Sequence, residues 1–138
     1  MSVSFEHLRT LGELGPARLA ELLAAKPIFV SAALYEPFGL SVLEAAQAGC
    51  ALVLSDIPAH RELWGGAAMF LPARSPQAFA LAIQSLLGDR REREKRGQLA
   101  RACAELYTPE RMARSMVAIY SDLVRPKAEP ALRLVGAA

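Results

Sequence analysis

Two carboxylates with seven residues between them, Glu36 and Glu44, mark the stretch where residue type and spacing point to chemistry. Between them run Pro37, Phe38 and Gly39, followed by Leu40 and Ser41. Pro37 disfavours helical geometry at Glu36, which is therefore expected in an extended or turn conformation. Gly39 permits a sharp turn and leaves its amide uncovered. A helix is predicted from Leu40 or Ser41, and its first N–H groups have no partner within the helix. Those donors, together with the helix dipole, suit a phosphate. Glu44 falls about one turn further in, where a carboxylate can accept hydrogen bonds from a pair of vicinal hydroxyls. A nucleotide joined to a sugar through phosphates matches this layout. Each residue alone also has a simpler role: Glu44 as an acid favoured by the dipole, Glu36 as a solvated loop residue, Gly39 as a turn former.

The elements that must position this stretch are legible on either side. The apolar run IFVSAAL precedes it and ALVLS follows it, giving strand, loop, helix and strand, the unit of a parallel sheet. The loop falls after the carboxyl end of a strand, where open α/β sheets bind ligands. A third strand is expected at AAMFL, all three read as buried, with a further short strand around Val3 and Phe5. Pro16 opens a helix, PARLAELLAAK, with Leu19, Leu22 and Leu23 on one face, and Pro27 stops it. Gly49 is placed to end the central helix. HRELW is expected as a short helix, with His60, Arg61 and Glu62 in a capped surface turn and Trp64 in core or lid packing. His7 is read as a structural or surface residue.

From Ser75 the pattern is helical. Ser75-Pro76 suits a helix start, with Phe79, Ile83, Leu86 and Leu87 on one face and a break at Gly88-Asp89. RREREKR interleaves Glu92 and Glu94 with its bases and has no aromatics, so a solvated helix face is expected. Leu99, Cys103 and Leu106 are assigned to the apolar side of that helix. Thr108-Pro109 opens another, whose Met112, Met116, Ile119 and Leu123 are assigned to core packing. Residues 125–138 read as a flexible tail.

At 138 residues, 53% hydrophobic and 22% charged, the chain suffices for one domain with a substantial core. A net charge of +2 is too small to argue for nucleic acid. Cys50 and Cys103 read as free thiols in a reducing compartment, and with no apolar leader at the N-terminus a cytoplasmic location is expected. No run is long enough to span a bilayer, and no metal-ligand spacing is present.

The EPFGLSVLEA stretch resembles the EX7E signature of retaining glycosyltransferases of family 4, which have the GT-B fold. The resemblance extends over about Val3 to Val124, through GELGPARLAELLAAKPIFVSAALYEPFG before the signature and AGCALVLSDIPAHRELWGGAAMFLP after it. It implies a partial Rossmann-like, three-layer α/β domain with a small parallel sheet and a helical C-terminal segment, the latter part of a GT-B C-terminal domain, over residues 1–124. It implies a nucleotide-diphosphate sugar as donor substrate, with no metal or other cofactor required. Glu44 would bind the donor ribose, and Glu36, the implied catalytic residue, would contact the transferred sugar near its reacting carbon. The amides of Phe38, Gly39 and Leu40, with the Ser41 hydroxyl, would face the sugar and phosphates. In the family, basic residues on earlier strands reach the diphosphate; Arg9 and Lys26 lie outside the context of that motif. A saccharide or lipid-linked acceptor would be met through a domain not represented in these residues. The expected function is thus donor binding within a retaining glycosyltransferase, inactive by itself; the alternative is a non-catalytic binding or interaction module. An unpaired sheet edge would also favour self-association.

Overall fold

The computed structural model describes residues 7–125. Three short aliphatic runs pair in parallel, in the order β1 (Ile28–Ser31), β2 (Ala51–Ser55) and β3 (Ala68–Leu71). Val30 lies opposite Val53, and Val53 opposite Met69. Helix α1 (Pro16–Ala24) precedes β1, α2 (Leu40–Ala48) links β1 to β2, and α3 (Pro58–Trp64) links β2 to β3. Helices α4 (Pro76–Gly88) and α5 (Arg90–Ala104) follow. The result is the α/β arrangement expected, consistent with part of a GT-B-like domain. The expected strand around Val3 lies outside the described residues.

The centre of the core is β2, whose five residues are all buried. Ala51 and Val53 pack against Phe79, Ala82 and Leu86 of α4, with Ile28, Met69 and Leu71 at the margin. Leu52 and Leu54 alternate to the other face and are also fully buried. Helix α2 contacts both β1 and β2, and its Val42, Ala45 and Ala46 are buried. Gly49 ends α2 at φ 82°, where its N–H meets the Ala45 and Ala46 carbonyls, the turn that glycine makes without steric cost.

Several expected burials are corrected. β1 and β3 are not buried strands: both are edges of the three-stranded sheet among the described residues and are largely half-buried, with Val30 39% exposed. In α4, Leu87 is exposed and Ala82 takes its place in the core. Leu99 of α5 and Leu106 just beyond its end are exposed, and the helix packs through Gly97, Ala100 and Ala104 instead. The reason is a close approach: a Cβ on Gly97 would overlap the Gly49 carbonyl oxygen. Large side chains cannot occupy such a contact, so the helix turns its small residues inward.

The predicted start at Ser75 is capped as expected, its hydroxyl accepting the Ala78 N–H at 3.4 Å; Asp89, read from sequence only as a break, caps the next helix through its carboxylate, which accepts the Glu92 N–H at 2.9 Å.

Residues from Tyr107 onward form a separate unit. It contains α6 (Pro109–Val124), whose Thr108 hydroxyl caps the Arg111 N–H at 3.3 Å. The assignment of its Met112, Met116, Ile119 and Leu123 to core packing is corrected: no residue of α6 is buried. The stripe at helical spacing is present.

Candidate functional site

The carboxyl edge of the sheet gathers the β1–α2 and β2–α3 loops. In the first, Gly39 adopts φ 79° and forms the cap of α2, and no side chain caps the helix. The left-handed turn brings the backbone close: a Cβ on Gly39 would sit 3.0 Å from Val42 Cγ2 and 3.3 Å from Glu36 Cγ. Glycine is required here by both conformation and space. The Glu36 side chain therefore lies against the turn that opens α2, and is half-buried. Leu40 and Ser41 are exposed, Phe38 is half-buried, and Gly39 itself is buried.

Glu44 lies in the second turn of α2, exposed. It lines a groove of about 650 Å³ between α1 and α2, together with Leu14, Pro16, Leu19 and Leu23. Lys26 and Arg101 line the same groove, but Glu36 and residues 38–41 do not. The sequence-derived set is thus divided: Glu36 and the turn stay together, while Glu44 serves a neighbouring apolar groove with two cations. No helix among the described residues is long and apolar enough to cross a membrane, and none of their His, Cys, Asp and Glu side chains cluster in threes around a metal-sized space.

The second loop corrects the surface-turn reading of His60, Arg61 and Glu62. His60 is fully buried. Its Nδ1 lies 2.9 Å from the Ser55 carbonyl oxygen, so Nδ1–H is the donor. The Ser55 hydroxyl donates to the Ala33 carbonyl at 2.5 Å, and its oxygen lies 3.3 Å from His60 Nδ1. The β1–α2 loop, the end of β2 and the start of α3 are thereby tied side chain to backbone. His60 Nε2 is buried with no hydrogen-bond partner among the described residues. Arg61 and Glu62 are exposed as expected. Arg61 grips Asp56 in a bidentate pair, at 2.6 and 2.8 Å, and lies over the Phe70 ring with its guanidinium carbon 4.8 Å from the centroid. That hydrogen bonding holds the Asp56 carboxyl below its ordinary range.

Sequence reasoning missed the Ser55–His60 brace and the cations of the groove. A serine closing an apolar strand and a histidine five residues on form no local pattern, and Arg101 is distant in sequence. Trp64, by contrast, is core as expected.

The helix without a side-chain cap behind a left-handed glycine lies at the carboxyl edge of a parallel sheet, where open α/β folds bind their ligands. Residues 5–102 match the family "Glycosyl transferases group 1", and the chain belongs to that family. It is 31% identical over 104 residues to a phosphatidyl-myo-inositol mannosyltransferase of Mycolicibacterium smegmatis, covering 73% of this chain and 26% of that protein. It is 36% identical over 95 residues to a glycogen synthase of Mycobacterium tuberculosis, covering 67% and 23%. Among solved structures, a sucrose-phosphate synthase from Thermosynechococcus elongatus superposes with a TM-score of 0.75 at 27% identity, over 82% of this chain and 29% of that one. The chain thus spans about a quarter of the length of the curated relatives it matches.

Proposed function

We propose that this chain is the donor-binding part of a retaining glycosyltransferase, which takes a sugar from a nucleotide-diphosphate sugar and passes it to an acceptor hydroxyl. The single observation that carries this reading is the α2 entrance. Gly39 opens α2 beside Glu36 with no side-chain cap, and Glu44, one turn further along the same helix, lines a groove.

In this reading the amides of Phe38, Gly39 and Leu40 and the Ser41 hydroxyl face the sugar and the phosphates. A helix amino end favours a charged group by about 0.3–2 kcal/mol, most where water is excluded. The donors are fixed before the bond breaks, so they stabilise the departing phosphate without reorganising. Glu44 accepts from the ribose hydroxyls, and the base lies along Leu14 and Pro16. Glu36, held by the turn, accepts from a hydroxyl near the reacting carbon and fixes that carbon's position. Acceptor binding, and with it turnover, falls to the larger protein of which the relatives' lengths are the measure.

Calorimetric titration with a panel of nucleotide-diphosphate sugars tests this. Saturable binding is expected, weakened about tenfold by Glu44→Ala through loss of the charge-assisted bonds to ribose. Binding that Glu44→Ala leaves unchanged overturns the assignment of the groove. The absence of binding by any member favours a non-catalytic module.

A further inference from the structure

At the amino edge of the sheet, opposite the Glu36 turn, lies a second cavity of about 540 Å³. Its walls come from the residues after α1 (Ala25, Lys26), the Gly49 turn, Ala51 of β2 and one face of α5. The Gly49–Gly97 approach leaves bare backbone at its margin, and Arg90, Arg93, Arg101 and Lys26 converge on it with a single acid, Glu94. The RREREKR run is therefore more than a solvated face: two of its arginines enter a concave site with cations from elsewhere in the fold.

Charge bookkeeping decides whether the cavity is already neutralised. Four cations and one carboxylate leave three positive charges. The carboxyl ends of α1 and α2 also face this edge, and two helix ends contribute about one unit of negative charge. A surplus of about +2 remains after that offset. The partners are distributed likewise. Glu94 is taken by Arg90 at 2.7 Å. Arg93 donates one N–H to the Leu86 carbonyl at 3.0 Å, which orients its guanidinium and leaves the other donors unused. Among the described residues, the side chains of Lys26 and Arg101 form no ion pair or hydrogen bond. The convergence is felt at Glu94, whose carboxyl is held low first by Arg90, and further by Arg93 and Lys26. Lys26 moreover occupies the left-handed region at φ 50°, where glycine or asparagine would rest without strain.

We propose that this cavity is an anion site for a phosphate monoester carried on a small molecule such as a sugar phosphate. A monoester dianion matches the surplus charge, and arginine forks fit its oxygens. The volume admits a hexose beside the phosphate. The site lies at the other end of the sheet from the α2 entrance; it shares Lys26 and Arg101 with the groove that Glu44 lines, and shifts at Gly49, Gly97 and Gln98, which line this cavity alone, tell the two apart.

Amide chemical shifts of the labelled chain, titrated with inorganic phosphate, a hexose monophosphate and dimethyl phosphate, test it. Saturable shifts centred on Lys26, Gly49, Gly97 and Gln98 are expected with inorganic phosphate and with the hexose monophosphate. The diester, one charge poorer, is expected to bind about tenfold more weakly. A Lys26→Met, Arg101→Gln double variant, both positions being exposed, retains the fold and weakens the monoester about tenfold. Shifts centred instead on residues 39–41, equal affinity for the diester, or undiminished affinity in the variant each overturn the proposal. So does binding of anionic phospholipid vesicles that hexose monophosphate fails to displace, which would assign the patch to a membrane surface.

Discussion

The two edges of the sheet handle polar side chains in opposite ways. At the carboxyl edge, side chains are bonded within the protein: Ser55 to Ala33, His60 to Ser55, Arg61 to Asp56. At the amino edge, cations outnumber the single acid and two of them have no partner among the described residues. The difference is one of purpose in energetic terms. Internal bonds hold loops in one geometry, which any site that positions a ligand requires. Unpaired cations hold nothing in place and remain available to a ligand from solution. What joins the edges is α2, which begins at the Glu36 turn and ends at Gly49.

The sharpest way to break the amino edge is Gly97→Ala. The new Cβ meets backbone, the Gly49 carbonyl, and not the end of a flexible side chain, so α5 must shift as a body. Overpacking of this kind costs about 3 kcal/mol. Alanine's better helix propensity returns about 1 kcal/mol, leaving a net loss of about 2 kcal/mol in denaturant unfolding. Gly88→Ala, at the end of α4 with no atom within 4 Å of the new Cβ, is the control and is expected to stabilise by about 0.5 kcal/mol. Equal effects of the two would show that the α5–Gly49 contact does not constrain the amino edge.

At the carboxyl edge, Ser55→Ala removes the donor to the Ala33 carbonyl and is expected to cost about 1 kcal/mol. The informative readout is local. Hydrogen exchange at residues 34–39 should accelerate more than at residues 51–54, because the brace holds the loop and not the strand. A uniform acceleration through β2 would make Ser55 a core residue with no part in positioning Glu36.

How far this was legible in the sequence depends on the range of the interactions. The α2 turn was readable because everything that makes it is local: Pro37 before it, Gly39 at positive φ, Gly49 at its end. The same holds for the Ser75 and Thr108 starts. Helix periodicity named the amphipathic faces but not what covers them. For α5 the large apolar residues Leu99 and, just beyond its end, Leu106 suggested the inner face, yet the Gly49 carbonyl selects Gly97, Ala100 and Ala104. In α6 a stripe was visible and burial did not follow. Burial of His60 depended on Ser55 and Ala33, and cavity formation on Lys26 meeting Arg93 and Arg101, contacts that no window of sequence contains.

The smallest effect concerns the Asp56–Arg61 pair, and its sign is fixed by the direction of the shift. The folded carboxyl titrates below its ordinary value of 3.8 because Arg61 hydrogen-bonds its charged form. A depressed folded value means that the unfolded chain takes up a proton first as pH falls. The pair's contribution is therefore fully present above the unfolded value and is lost as pH drops through the folded one. Asp56→Asn should lower the melting temperature slightly near neutrality, and the gap to the parent should close through and below pH 3.8. Both side chains are substantially exposed, 57% for Arg61 and 40% for Asp56, so added salt should shrink the gap at neutral pH as well. A gap that survives both acid and salt would mean that Asp56 acts through shape and neutral hydrogen bonds. The carboxyl edge would then owe its order to Ser55 and His60 alone, with Arg61 held over Phe70 by its own stacking.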